Sequence, residues 1–306
     1  MITKPTVLIL GAGSATAYGF PLGRGLRNLV CRIPWTGAAN LIKETGFDSD
    51  ELENFVNTLR HSAYTSVDWF LEDWPEFIAI GKAAIAAALI PSEDPNRLFP
   101  PDATDTHWYE LLLNTLDTPQ GAFTENRLSI VTFNYDRSLE HYLFRVLETR
   151  RGSEQSAVEA LNSLDIIHVH GMLGELTPPA DDGRPYSPDL EPGAIRTAAE
   201  QIIVVGEAAG ETEAFEHARG KLREAERIVF LGFGFHFESV RRLAVFNEPW
   251  GDEHQNRVRV GGTSTGIPIH EWNNIQANIL NNAFPARNRK VNSVFDYLNE
   301  VEPLDR

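Results

Sequence analysis

Along the chain, short runs that are apolar at nearly every position alternate with longer stretches in which apolar residues recur at helical spacing. The apolar runs fall at 7–10, 128–133, 165–169, 201–205, 228–232 and 258–260. Runs that lack polar alternation suit strands buried on both faces, as in a parallel sheet covered by helices. Helical patterns at 134–150 and 211–227 lie between them, and strands separated by helices of that length imply right-handed crossovers. The predicted fold is α/β: a Rossmann-like, doubly wound parallel sheet of six strands in a single domain spanning 1–306.

The spacing of the runs is uneven. More than a hundred residues separate the first two, and they hold an alanine-rich helical pattern at 66–90, interrupted by Pro75, and another at 106–116. This predicts a helical insertion, or cap, over 36–120 between strands one and two. A stretch rich in Pro, Asp and Gly at 174–193 predicts a surface loop, and the span 174–200 reads as a lid.

Composition narrows the function classes. A chain of 306 residues, 42% of them hydrophobic, can bury a substantial core. Its formal charge of -16, from 43 acidic against 27 basic residues, disfavours direct nucleic-acid binding, which needs clustered cations; a basic partner remains compatible. Cys31 is the only cysteine, which excludes an intrachain disulfide and a cysteine-based zinc module. The first residues lack a signal-peptide apolar stretch, and no apolar run approaches the ~20 residues of a bilayer span. The expectation is a cytoplasmic protein with no membrane contact.

The candidate chemistry collects where the runs end, because ligands of open parallel sheets bind beyond the carboxyl ends of the strands. The first run stops in Gly11, Ala12 and Gly13, a sharp turn at which backbone amides can approach a pyrophosphate. G-x-G-x-x-G is not completed, since position 16 is Thr16, so a plain strand-to-helix turn stays open beside a nucleotide cradle. The second run ends in 131-VTFNYD-136, with Asn134 and Asp136 as site residues or simply helix caps. In 166-IIHVHG-171, alternation places His168 and His170 on one face, as ligand-facing groups or as satisfied core histidines. The fifth run closes in 230-FLGFGF-235, where Gly232 and Gly234 serve a cleft or only a turn.

Together these pieces resemble the sirtuin (SIR2) superfamily, and within it the SIR2-like NAD-hydrolysing domains of bacterial antiphage defence systems. The stretch 11-GAGSATAYGFP-21 is similar to the family's G-A-G-[AS]-S opening through Gly-Phe-Pro, and 66-SVDWFLE-72 to its S-[IV]-D-x-F-L helix. Likewise 131-VTFNYD-136 is similar to T-x-N-Y-D, 168-HVHGML-173 to H-G-[SM]-L, and 230-FLGFGF-235 to the late glycine turn. The resemblance implies NAD as substrate and no metal. It puts Gly11, Ala12, Gly13 and Ser14 at the pyrophosphate, with Phe20 and Pro21 in the same opening motif. Asn134 would contact the nicotinamide ribose and place a water, His170 would be the general base, and Asp136 would orient groups in the same shell. Asp68 would support the pocket, while Gly232, Phe233 and Gly234 would lie near the adenosine half.

Two departures matter. Ala15 stands where the family has Ser, so a hydroxyl contact is missing or moves to Ser14. The four-cysteine zinc module of deacylating sirtuins is absent, which favours NAD hydrolysis to nicotinamide and ADP-ribose over NAD-dependent protein deacylation; a non-catalytic NAD or ADP-ribose sensor is the other alternative. An enzyme that depletes NAD needs a trigger. The resemblance implies homo-oligomeric assembly or a separately encoded partner, a HerA-type ATPase or a short Argonaute.

Overall fold

The computed structural model describes residues 1–102, 106–118, 123–176, 178, 180, 183–204, 212–243, 258–264, 267–278, 293–301 and 304. Among the described residues, the chain forms one parallel five-stranded sheet from β1 (Thr6–Leu10), β2 (Leu128–Thr132), β3 (Asp165–His168), β4 (Arg227–Leu231) and β5 (Arg259–Gly262). Their spatial order is β3-β2-β1-β4-β5. β1 is central, with Leu8 opposite Ile130 on one side and Val229 on the other. The order reverses direction between β1 and β4, the switch point at which a doubly wound sheet opens a crevice.

The sheet has five strands, not six. The expected strand at 201–205 is absent over its described residues: Gln201 ends a helix, and Ile202 makes a single antiparallel bridge to Gly171. The run is apolar because Ile202 and Val204 are buried in the core, so burial without ladder pairing gave it a strand-like pattern. Position 205 lies outside the described residues.

Helices cover both faces, and strand alternation sorts the core into two apolar clusters. On one face Leu8, Leu10, Ile130, Val229 and Leu231 meet the helices that follow β1. These are α1 (Gly23–Arg32), α2 (Ala38–Glu44), α3 (Ser49–His61), α4 (Val67–Asp73), α5 (Ile78–Leu89), the short α6 (Pro95–Leu98) and α7 (Trp108–Leu116). Their buried side chains share one continuous core with the sheet. On the other face Val7, Ile9, Val131, Ile228 and Phe230 pack with residues of later helices. After β2 come α8 (Ser138–Arg151) and α9 (Glu154–Asn162), and after β3 α10 (Pro192–Gln201) and α11 (Glu213–Glu224). The chain continues with α12 (Phe237–Leu243), α13 (Ile269–Asn278) and a short turn of helix, α14 (Val294–Asp296).

Local chemistry sets several boundaries. α3 opens on a reciprocal capping box, Asp48 accepting the Glu51 N–H while Glu51 accepts the Asp48 N–H. Pro75 splits the single pattern at 66–90 into α4 and α5, as a residue without an N–H must. The stretch Pro75–Ser92 has the length and mean hydropathy, 18 residues and 1.3, of a candidate membrane span, contrary to the expectation from apolar-run length. Its window is 61% buried inside the protein.

The span 174–200 differs from a continuous lid loop, because Pro192–Gln201 is the helix α10. The described loop before it is anchored by buried Arg137, which donates to the carbonyls of Gly174, Glu175 and Arg184. Arg137 also forms a bidentate pair with buried Glu93, at 2.9 and 2.8 Å, and Arg184 bonds the same carboxylate. One carboxylate thus ties the helical region after β1 to the start of α8 and to this loop.

Candidate active site

The switch point is built from backbone. β1 is followed by Gly11, whose N–H donates to the Leu231 carbonyl at 3.1 Å, and the Gly13 N–H donates to the Gly232 carbonyl at 2.9 Å. The two strand-end turns touch main chain to main chain. A methyl at Gly13 would lie 2.8 Å from the Gly232 Cα, and one at Gly232 would lie 2.1 Å from the Ser14 nitrogen. Gly232 also has φ +59, in the left-handed region. The glycines therefore serve first to let the turns cross. Of the amides predicted to hold pyrophosphate, those of Gly11 and Gly13 are spent inside the protein; that of Ala12 has no partner among the described residues.

Two clefts flank this crossing. One, of about 430 Å³, is lined by Gly11, Ala12 and Gly13, by Asp68 and Trp69 of α4, by Asn134 and His170, and by Gly232, Phe233 and Gly234. The other, of about 520 Å³, runs past Ser14, Trp108 and Thr263. They share Gly13, Leu22, Gly232, Phe233 and Gly234, so the two volumes adjoin across the glycine turns.

Most of the sequence-predicted site residues meet here. Asn134 leaves β2 and turns back on β1, its Nδ2 donating to the Gly11 carbonyl and to Ser14 Oγ, both at 3.2 Å. Ser14 Oγ donates to the same carbonyl at 2.8 Å, so Ser14 is the hydroxyl that joins the two strand ends. Ala15 is buried in the core and lines neither cleft. Asp68 accepts from the Tyr135 hydroxyl and sits at the start of α4, whose cap is Ser66.

His170 is buried with its ring edge-on to Phe133 and Phe215, at centroid distances of 5.4 and 5.7 Å. Burial lowers its pKa below the usual histidine value; Arg242 adds to that effect, while Asp68 and the Ile203 backbone oppose it. The ring is thus neutral near pH 7, and its Nδ1 is buried without a partner among the described residues. A neutral imidazole in this cleft can accept a proton.

Three predicted residues stand elsewhere. Phe20 is core and Pro21 packs beside Gly25; neither lines either cleft. Asp136 is buried outside both clefts, accepting the Ser138 N–H at 3.2 Å and the Ser138 hydroxyl at the start of α8. Desolvation raises its pKa to about 6, with Glu140 adding to the rise, while Ser138 and His168 oppose it. The expected common face for His168 and His170 also fails. β3 ends at His168, and the chain turns at Gly171 with φ +66, so only His170 reaches the cleft.

Sequence reasoning missed Arg24, Trp69 and His236, which also line the cleft; the Trp69 and His236 rings meet edge-on at 4.6 Å. Trp69 lies inside 66-SVDWFLE-72 and His236 directly follows 230-FLGFGF-235, yet nothing in a one-dimensional pattern pairs α4 with the turn after β4. Among the described residues no group of three or more His, Cys, Asp or Glu side chains is placed to hold a metal ion. The chain matches no protein-family model and no curated protein.

Proposed function

We propose that the protein is an NAD+ glycohydrolase that cleaves the bond between nicotinamide and ribose. The observation that carries this reading is the meeting of Asn134 and neutral His170 in one cleft, beside a second cleft that adjoins it across the glycine turns. An elongated dinucleotide suits two adjoining volumes better than one compact substrate does. In this reading the pyrophosphate lies over the crossing, with the Ala12 N–H as donor and Arg24 supplying positive charge. The adenosine half extends past Phe233 towards Thr263.

Departure of nicotinamide leaves oxocarbenium character on the ribose. The Asn134 carboxamide oxygen stabilises that charge and orients a water, while His170 takes the proton that the water loses on attack. The products are nicotinamide, ADP-ribose and one proton. Biologically, such an activity fits NAD depletion in antiphage defence, switched on by self-assembly or by a separately encoded partner.

The test is to incubate the protein with NAD, alone and with its genomic neighbour, and follow nicotinamide by chromatography. Loss of a general base costs about 10²- to 10⁴-fold, so His170→Ala should lose nearly all turnover while keeping its fold. The acid limb of the rate should fall below pH 6.5, in keeping with the lowered His170 pKa. Tight NAD binding with no nicotinamide under any condition would leave a sensor, and O-acyl-ADP-ribose from an acyl-lysine peptide would reveal a deacylase.

A further inference from the structure

His168 lines neither of the clefts at the glycine crossing, yet one of its ring nitrogens faces the backbone of Asn134. Its Nδ1 lies 3.2 Å from the Asn134 carbonyl oxygen, and its Nε2 lies 2.5 Å from Glu140 Oε1 on α8. A carbonyl can only accept, and so can an ionised carboxylate. Both ring nitrogens must therefore donate, which makes His168 an imidazolium held in an ion pair whose side chains are 4% and 16% exposed. Burial alone would lower its pKa; the charge and hydrogen bond of Glu140, with the Asn134 carbonyl and Asp136, reverse that and leave it raised.

Asn134 is pinned at its other polar groups as well. Its N–H donates to Thr132 Oγ1 at 3.1 Å, and Nδ2 is occupied by the β1 turn, which leaves the carboxamide oxygen. We propose that His168, charged and braced by Glu140, is a positioning residue that locks the Asn134 peptide so that its carboxamide oxygen is aimed at the reacting centre. The catalytic consequence rests on the hydrolase reading; the positioning itself does not. Residues that support a reacting group from behind typically contribute about 10- to 100-fold.

The test compares His168→Ala, His168→Asn and Glu140→Gln with His107→Gln. His107 is a buried histidine that bonds the Leu98 carbonyl at 2.6 Å and is remote from Asn134 in the bonding network, so it reports the cost of losing any buried histidine. The expected result is a kcat lower by about 10- to 100-fold in His168→Ala with KM within about twofold. Partial recovery is expected in His168→Asn, whose side-chain amide nitrogen takes the place of the imidazole Nδ1 and can still donate to the Asn134 carbonyl, and His107→Gln should lose stability but not kcat. A kcat within twofold of the parent in folded His168→Ala would overturn the proposal. If the parent protein releases no nicotinamide at all, the hydrolase reading falls separately. Nitrogen-15 spectra then decide the positioning: a parent imidazole protonated on both nitrogens at pH 7, and Asn134 side-chain amide resonances displaced in His168→Ala, support it. A neutral ring or unmoved resonances overturn it.

Discussion

Gly232→Ala isolates the steric demand of the crossing between the β1 and β4 turns. Gly232 has φ +59, and a methyl there would lie 2.1 Å from the Ser14 nitrogen and 2.2 Å from the Gly13 carbonyl carbon. Gly152, which ends α8, provides the control: its φ is +65, and a methyl there would meet nothing within 4 Å. Each substitution forces an L-residue into the left-handed region, at about 1–2 kcal/mol. Gly152→Ala should therefore lower stability by that amount alone. At Gly232 the backbone-to-methyl overlap adds a second cost, since main chain cannot swing aside as a flexible side chain does. A total above about 4 kcal/mol is expected, in the range reserved for broken cores and strained backbones. Urea denaturation of the two variants under identical conditions measures the difference. Equal losses at Gly152 and Gly232 would refute the close crossing and, with it, the account of why β1 ends in Gly-Ala-Gly.

Asp136→Asn should change how stability depends on pH. The folded pKa of Asp136, about 6, lies above its ordinary 3.8. The native state therefore holds the proton more tightly, and this contribution is full below pH 3.8 and lost as pH rises through 6. At about 1.4 kcal/mol per pKa unit, the parent should lose about 2.5 kcal/mol relative to Asp136→Asn between pH 4 and 7.5, and a pH-independent difference in thermal unfolding would contradict the burial argument. Glu93→Ala should cost about 3–5 kcal/mol, because it leaves the buried guanidiniums of Arg137 and Arg184 without their carboxylate. Glu148→Ala, which breaks an exposed pair with Arg145, should cost less than about 1 kcal/mol in the same urea titration.

The strands were legible because burial on two faces leaves a one-dimensional trace: β1 reads Thr-Val-Leu-Ile-Leu, and all five residues are buried. The same signal misled at Ile202 and Val204, where burial is met by helices and by one bridge rather than by a ladder. The site was legible where a strand delivers its residue directly, as with Asn134 just beyond β2 and Gly232 just beyond β4. It was not legible where a turn intervenes. Two histidines two residues apart share a face only while the strand lasts, and β3 ends between them. The Glu93–Arg137–Arg184 network left no local pattern, because its members lie 44 and 91 residues apart and answer only to the cost of burying charge.

Because the centre of the cleft is made by peptide groups of two crossing turns, its shape is nearly independent of side-chain identity. Substitution there does not tune recognition; it separates the turns. In the proposed hydrolase, ligand preference would be set at the walls by Arg24, Trp69 and His236, which line the cleft without forming the crossing. A library randomised at those three positions searches specificity on a fixed chassis, whereas one randomised at Gly11, Gly13 and Gly232 mostly samples unfolding.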